Sequence, residues 1–385
     1  MTSREPSPSL SPSPSPELSP FEAAYRAIFD AFDDDGSQGL SREELVTHLA
    51  EAGILEDDPR LQGILEATRE DGGGREIRFP EFVALIQHHS GLVQRAMQGR
   101  LVVPDFVGLA ADIDRIRQEL LPLRGGAVAD YIPQLARVNP EQFAISVCTV
   151  DGQRHTVGDA DVPFCVQSVS KTVSYCMALE EHGVDVAHRH VGREPSGVGF
   201  NELTLDRQGR PHNPMINAGV IMSCALIRPG LPLADRFDHV AQTWRRLTGD
   251  RRVGYDNAVY LSERHTAYRN FALGYSMQER DTFPVGTDLH ETLDFYFQCC
   301  SVELDARGLG VVAATFANGG ACPLTGERVF SEETVQHCLS LMSSCGMYDF
   351  SGEFAFTVGL PAKGSRRTQR WRARRRTASS TAVGA

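Results

Sequence analysis

Apolar residues recur at four-residue steps through Ala24, Ile28 and Phe32, which predicts a helix leading into the acidic run Asp33-Asp34-Asp35. Further along, helical spacing predicts segments at about 104–121, 169–182, 215–227, 233–248, 287–301, 307–318 and 331–343. Two stretches read differently. The apolar run from Phe143 to Val150 is followed by Asp151-Gly152 and then by Gln153 to Gly158, which predicts a β-hairpin about an Asp-Gly turn. Phe354-Ala-Phe-Thr-Val-Gly-Leu360 reads as another strand. Strands at both ends of a mainly helical region predict an α+β domain, preceded by a smaller all-α unit. The boundaries read as a disordered Ser/Pro leader at 1–20, a helical unit at 21–95, a linker helix at 96–125, the large domain at 126–363 and a basic tail at 364–385.

Composition narrows the partners. The 385 residues carry a formal charge of −12, and nucleic-acid binding needs a basic face, so nucleic acid is excluded as a principal partner. The tail is the exception: Arg366, Arg367, Arg370, Arg372, Arg374, Arg375 and Arg376 occur there without an acid, which leaves −19 on the rest. The tail's composition predicts disorder. Nine cysteines without a C-x-x-C pair fit neither a zinc site nor a disulfide framework. No run approaches the roughly 18 apolar residues that span a bilayer, and no signal-peptide core follows Met1, so a soluble protein with no membrane partner is expected. The Ser-Pro leader is poor in arginine and does not read as a transit peptide.

Asp33 to Glu44 has the shape of a twelve-residue calcium loop. Oxygen ligands would come from Asp33, Asp35, Ser37, the Gly39 carbonyl and a bidentate Glu44, with Leu40 in the short strand between paired loops. Gln38 stands where glycine normally permits the sharp turn, which predicts a strained or weakened site. The partner stretch Glu70 to Glu81 keeps Ile77 in the strand position but offers Gly72 and Gly74 where ligand oxygens belong, so no metal is expected there. A pair of helix-loop-helix units kept for packing, with no ion bound, explains the same pattern.

The chemistry is concentrated around Ser168-x-x-Lys171, at the start of a helix that Gly183 should end. One helical turn puts both side chains on one face, and a desolvated lysine can take the proton that a serine hydroxyl must lose to become a nucleophile. Alone, such a tetrapeptide is a common helix start. Polar islands follow it, however: Pro211 to Gly219 with Asn217, Ser262-Glu263-Arg264, Arg269-Asn270, Asp294 to Gln298 with Tyr296, Ser344 to Gly352 with Tyr348, and Leu360-Pro-Ala-Lys363. Each has a plain structural reading too: Asn217 as a helix cap, Glu263 paired with Arg264 or Arg269, Tyr131 and Tyr296 as core.

Together with Ala129 to Leu135, Val147 to His155 and Glu194 to Gly197, these islands resemble the kidney-type and liver-type serine-dependent glutaminases of the β-lactamase-like superfamily over about 100–363. The resemblance implies a β-lactamase-like domain, helices on a small antiparallel sheet, beside an EF-hand-like unit. It implies hydrolysis of L-glutamine to L-glutamate and ammonia, with Ser168 as nucleophile, Lys171 as its base and Tyr348 relaying a proton. Tyr131, Asn217, Glu263, Asn270 and Tyr296 would line the substrate pocket with Ser168 and Tyr348. No cofactor is implied beyond the calcium ion considered for the first loop. Dimers or tetramers and a mitochondrial address are implied by the family, with the cytoplasm as the alternative compartment.

After Lys363 the chain departs from the family. Leu-Pro-Ala-Lys is there followed by Ser-Gly-Val and by strands that complete the sheet, the valine N–H helping to bind the oxyanion; here Gly364-Ser365-Arg366 and the basic tail follow. An incomplete sheet is expected, and with it an alternative or truncated product of low activity. The competing readings are an inactive family member that assembles with a complete subunit, and a calcium-binding scaffold. A penicillin-binding or β-lactamase activity shares Ser-x-x-Lys but lacks a Ser-Asp-Asn tripeptide.

Overall fold

A computed structural model describes residues 20–68, 76–88, 91–123, 125, 127–197, 203–365 and 380–382. The N-terminal unit is built from α1 (Pro20–Phe32), α2 (Arg42–Glu51), α3 (Gln62–Ala67), α4 (Phe79–His88) and α5 (Gly91–Met97). Tyr25, Phe29, Leu45, Leu49, Ile64 and Phe82 close its own apolar core. Leu40 and Ile77 exchange two backbone hydrogen bonds of 3.0 and 2.8 Å, the short bridge expected between paired loops. α2 begins at a capping box in which Ser41 and Glu44 satisfy each other's backbone N–H.

The linker is α6 (Phe106–Leu120), and the hairpin follows as β1 (Ala144–Cys148) and β2 (Arg154–Gly158) in antiparallel register from Ala144 opposite Gly158 to Cys148 opposite Arg154. The hairpin's turn is where the N-terminal unit docks. Buried Gln153 donates through Nε2 to the Ala52 and Val103 carbonyls, Arg154 N–H donates to the Gly53 carbonyl at 2.7 Å, and Arg60 donates to the Asp151 carbonyl. Asp57 meets Arg154 and Arg251 at 2.8 and 3.0 Å, joining three parts of the chain by charge.

The rest of the large domain runs β3 (Phe164–Cys165), α7 (Ser170–His190), α8 (Asn217–Leu226), α9 (Leu233–Leu247), β4 (Gly254–Tyr255), α10 (Asn257–Thr266), α11 (Tyr268–Glu279), α12 (Leu289–Cys300), β5 (Val302–Leu304), α13 (Ala306–Ala317), α14 (Glu332–Cys345), α15 (Ser351–Thr357), β6 (Ala362–Gly364) and β7 (Ser380–Ala382). α8 is the keystone. Every residue from Ala218 to Leu226 is buried, so it has no solvent face, and α7, α11 and α12 pack around it. α13 lies on β1, which puts the hairpin on the outside of this helical core. A second small sheet has the order β3-β5-β4. No helix among the described residues is long and apolar enough to cross a membrane.

Gly183 has φ 74° and breaks α7 into two helical pieces, as its position in the sequence suggests. Two expectations are corrected. Phe354 to Leu360 is not a strand: Ser351–Thr357 is helical, Val358 N–H closes a 2.8 Å bond to the Phe354 carbonyl, and Gly359 at φ 74° caps the end. The segment has no sheet to face, and Phe356 is 90% exposed. The tail is not irregular throughout: Ser380–Ala382 pairs antiparallel with Ala362–Gly364, so small and β-branched residues return to cover the edge of β6. The seven arginines lie outside the described residues.

Gly219, in the first turn of α8, packs so closely that a Cβ there would stand 1.8 Å from the Asn213 carbonyl oxygen. Gly219→Ala is therefore expected to destabilise the domain by about 2 kcal/mol or more, read as a lower urea midpoint at unchanged slope.

Candidate active site

The hydroxyl and the amine come together because a tight 3₁₀ turn, Gln167–Val169, feeds directly into α7. Gln167 takes φ 47°, a left-handed conformation costly for a side chain with a Cβ, and Val166 N–H anchors the entry on the Val302 carbonyl at 2.8 Å. Ser170 Oγ closes the turn by donating to the Gln167 carbonyl at 2.6 Å. From this turn Ser168 projects its Oγ to accept a 2.7 Å hydrogen bond from Lys171 Nζ.

Lys171 is wholly buried, and burial lowers its pKa, with Cys300, Glu263 and Cys224 opposing the shift. Its ammonium position also faces the Tyr296 ring at 5.7 Å. Tyr348 lies against the same hydroxyl. Burial pushes the phenol's pKa up and its hydrogen bond with Ser168 partly offsets that, so Tyr348 is a neutral phenol at physiological pH. Its backbone, at φ 56°, is also left-handed.

Glu263 is 5% exposed, and its Oε2 has no hydrogen-bond partner. Desolvation raises its pKa to about 7, against the pull of Lys171 and the Gln167 side chain. It does not pair with Arg264, which binds Asp294 at 2.6 Å. Asn217, the first residue of α8, donates from Nδ2 to Asn270 Oδ1 at 3.0 Å. Tyr131 is half exposed and donates its hydroxyl to Gln167 Oε1 at 2.7 Å, while Gln167 Nε2 is buried without a partner. The expected site residues are thus linked in two groups. Lys171 and Tyr348 meet Ser168, Tyr296 and Glu263 face Lys171, and Tyr131 is reached through Gln167; Asn217 and Asn270 form a pair.

Sequence reasoning passed over Gln167, Lys363 and Cys300. Gln167 was detectable only as the neighbour of the nucleophile. Lys363 stood in a quoted motif but without a role; it is wholly buried, with Nζ donating to the Gly346 and Gly364 carbonyls at 2.9 and 2.8 Å and lying 3.9 Å from the centre of the Tyr348 ring. Burial and the nearby Lys171 hold its pKa well below the usual lysine range. Cys300, one turn beyond Tyr296 on α12, lies 3.9 Å from Ser170 Oγ and had no sequence signal beyond an apolar position.

In the N-terminal unit Asp33, Asp35 and Glu44 bring carboxylate oxygens within 4.8 Å of one another. Their lone pairs are already engaged: Asp33 accepts from the Ser37 and Gln38 N–H groups, and Glu44 accepts from the Asp34 N–H and from the Ser41 N–H and hydroxyl. Ser37 turns its hydroxyl to the Gly39 carbonyl, and Gln38 takes φ 61° where glycine would be at ease. Glu70, Gly72 and Gly74 of the partner loop lie outside the described residues.

The sequence model of the Glutaminase family matches residues 126–365, and an EF-hand domain model matches residues 25–104. The chain is 44% identical over 333 residues to "Glutaminase liver isoform, mitochondrial" of Rattus norvegicus, a match covering 86% of this chain and 55% of that one. It is 44% identical over 252 residues to "Glutaminase" of Trichormus variabilis, covering 65% and 74%. A solved structure of Mglu in its tris and glutamate form superposes with a TM-score of 0.63 at 35% identity, over 67% of this chain and 57% of that one. The chain spans a little over half the length of the animal relatives, 55% for the rat protein and 59% for a nematode one. The family match ends at Ser365, beside the point where the sequence departs.

Replacing Lys363 by methionine keeps the volume but removes the Nζ donor from both carbonyls; Gly346 keeps the Gly364 N–H at 3.1 Å, and the Gly364 carbonyl loses its side-chain donor. Lys363→Met is expected to cost about 1–3 kcal/mol, measured by chemical unfolding, and no loss of stability would contradict a structural role for these two bonds.

Proposed function

The chain belongs to the glutaminase family, and from that premise we propose that it hydrolyses L-glutamine to L-glutamate and ammonia through an acyl-enzyme on Ser168. The observation that carries the reading is the 2.7 Å bond between Lys171 Nζ and Ser168 Oγ beside the unpaired, buried oxygen of Glu263. Neutral Lys171 takes the hydroxyl proton as Oγ attacks the carboxamide carbon. The tetrahedral oxyanion collapses, the C–N bond breaks, and Tyr348 passes the Lys171 proton to the departing amide nitrogen, which leaves as ammonia. Water, deprotonated by the same pair, then cleaves the γ-glutamyl ester and restores Ser168.

Substrate selection follows from charge. Glu263 receives the α-ammonium by charge-assisted hydrogen bonds, while Asn217, Asn270 and the tyrosine hydroxyls can donate to the α-carboxylate without adding a cation. Asparagine, one methylene shorter, would leave these buried groups unpaired. The Ser168 N–H serves as one oxyanion donor. In the family pattern the second belongs to the third residue after the lysine, here Arg366, outside the described residues. Assembly into dimers or tetramers and a mitochondrial compartment are further proposals, the latter supported by the name of the rat relative.

Glutamate release by the purified chain beside a Ser168→Ala control tests the reading. A loss of about 10³-fold or more is expected, and equal rates would overturn it. The pH response is set by Glu263: its pKa is raised to about 7, so it is neutral below that pH and charged above it. kcat/KM for glutamine is therefore expected to fall as pH drops through about 7, and a flat profile there would contradict the assignment.

Calcium at the first loop is a separate proposal, supported by the convergence of Asp33, Asp35 and Glu44. Because Glu44 must give up its capping bonds to bind bidentately, affinity is expected on the order of 10⁻⁴–10⁻³ M. Calorimetric heat that Glu44→Gln abolishes would bear this out; no heat at millimolar calcium would end it.

A further inference from the structure

Among the described residues one carboxylate, Glu263, acts by charge on the base Lys171. Groups facing Lys171 come from five elements: Glu263 from α10, Cys224 from α8, Tyr296 and Cys300 from α12, Lys363 from β6, and Tyr348 from the turn before α15. Tyr348, Tyr296 and Cys300 are kept neutral by burial, and Lys363 spends its donors on two carbonyls. Lys171 has its hydrogen bond to Ser168, and Glu263 keeps a buried oxygen unpaired. In the substrate-free site the electrostatic support for a protonated Lys171 therefore comes from Glu263, and around a wholly buried amine such support is large.

We propose that the substrate's α-ammonium, by taking Glu263 as its counter-ion, removes that support, so that substrate binding itself deprotonates Lys171 and switches on the base. The inference rests on the amidohydrolase reading above. The balance is simple: the Lys171 ammonium loses one proton to solvent as the substrate cation enters, and the Nζ lone pair so freed later takes the Ser168 proton. One carboxylate would otherwise hold two cations. A γ-carboxamide without an α-ammonium could occupy the cavity and leave the base charged, so selection for a free amino acid would act on kcat as well as on KM.

The test counts protons. In a Ser168→Ala background, glutamine binding is titrated calorimetrically at about pH 8 in two buffers of different ionisation enthalpy. Glu263 is largely ionised there, because its carboxyl titrates near about 7. The expected result is release of a large fraction of one proton, well above the roughly one-tenth that Glu263 itself still holds one pH unit above its titration; release of no more than that would overturn the inference. The wild-type chain gives an independent reading with 4-carbamoylbutanoate, which is glutamine without its α-amino group. Its kcat profile should have an acid limb about 1–2 pH units above that for glutamine, and coincident limbs would overturn the inference. Glutamine turnover without that proton release sinks only the switch. Absence of both glutamine binding and glutamate release sinks the amidohydrolase reading and the switch with it.

Discussion

A lysine amine held dry against a serine hydroxyl is the constraint on which the molecule turns. An ammonium in such a place is costly, so the fold must supply either a counter-charge or a reason for the amine to be neutral, and it supplies some of each through Glu263 and burial. Holding the pair also requires backbone that ordinary helices do not provide. Gln167 and Tyr348 both sit in left-handed conformations, and both flank Ser168 in space. Such strain persists only where surrounding packing enforces it. Here α12, which carries Tyr296 and Cys300, and β6, which carries Lys363, pack on the Gln167 turn and provide that enforcement.

The N-terminal unit belongs to the same mechanical body as the hairpin. Gln153 and Arg154 bond to backbone of the helical unit and of the segment leading into α6, and Asp58 is buried beneath Arg60 and Arg154. A removed partner in such a network leaves an uncompensated buried charge, which makes the junction sensitive to single substitutions. The first loop lies in this unit, with its carboxylates already turned to backbone donors.

Much of this was legible in the chain. Ser168-x-x-Lys171, the Asp-Gly hairpin and most of the long helices follow from spacing and turn chemistry, which act locally. The helices Asn257–Thr266 and Tyr268–Glu279 are not legible in the sequence, because their buried faces are interrupted by the polar residues Glu263 and Asn270. Strands of two or three residues, as in β3-β5-β4, are too short to show a period. Ser351–Thr357 is hidden because Phe354, Phe356, Thr357 and Val358 are residues that favour strands, while the glycine that ends the helix, Gly359, lies beyond them. Lys363 could not be given a role, since nothing local says that a lysine after Pro-Ala will be buried on two carbonyls. The return of Ser380–Ala382 to β6 is a long-range pairing across a basic stretch, and composition alone argued against it.

The central claim, that Ser168 is the atom to which the substrate becomes joined, is tested most directly by trapping. Acid quenching during turnover of glutamine, followed by peptide mapping by mass spectrometry, should find a γ-glutamyl group on the peptide that contains Ser168, lost on treatment with hydroxylamine. Turnover with no adduct on that peptide, or an adduct carried by a cysteine, would contradict the account.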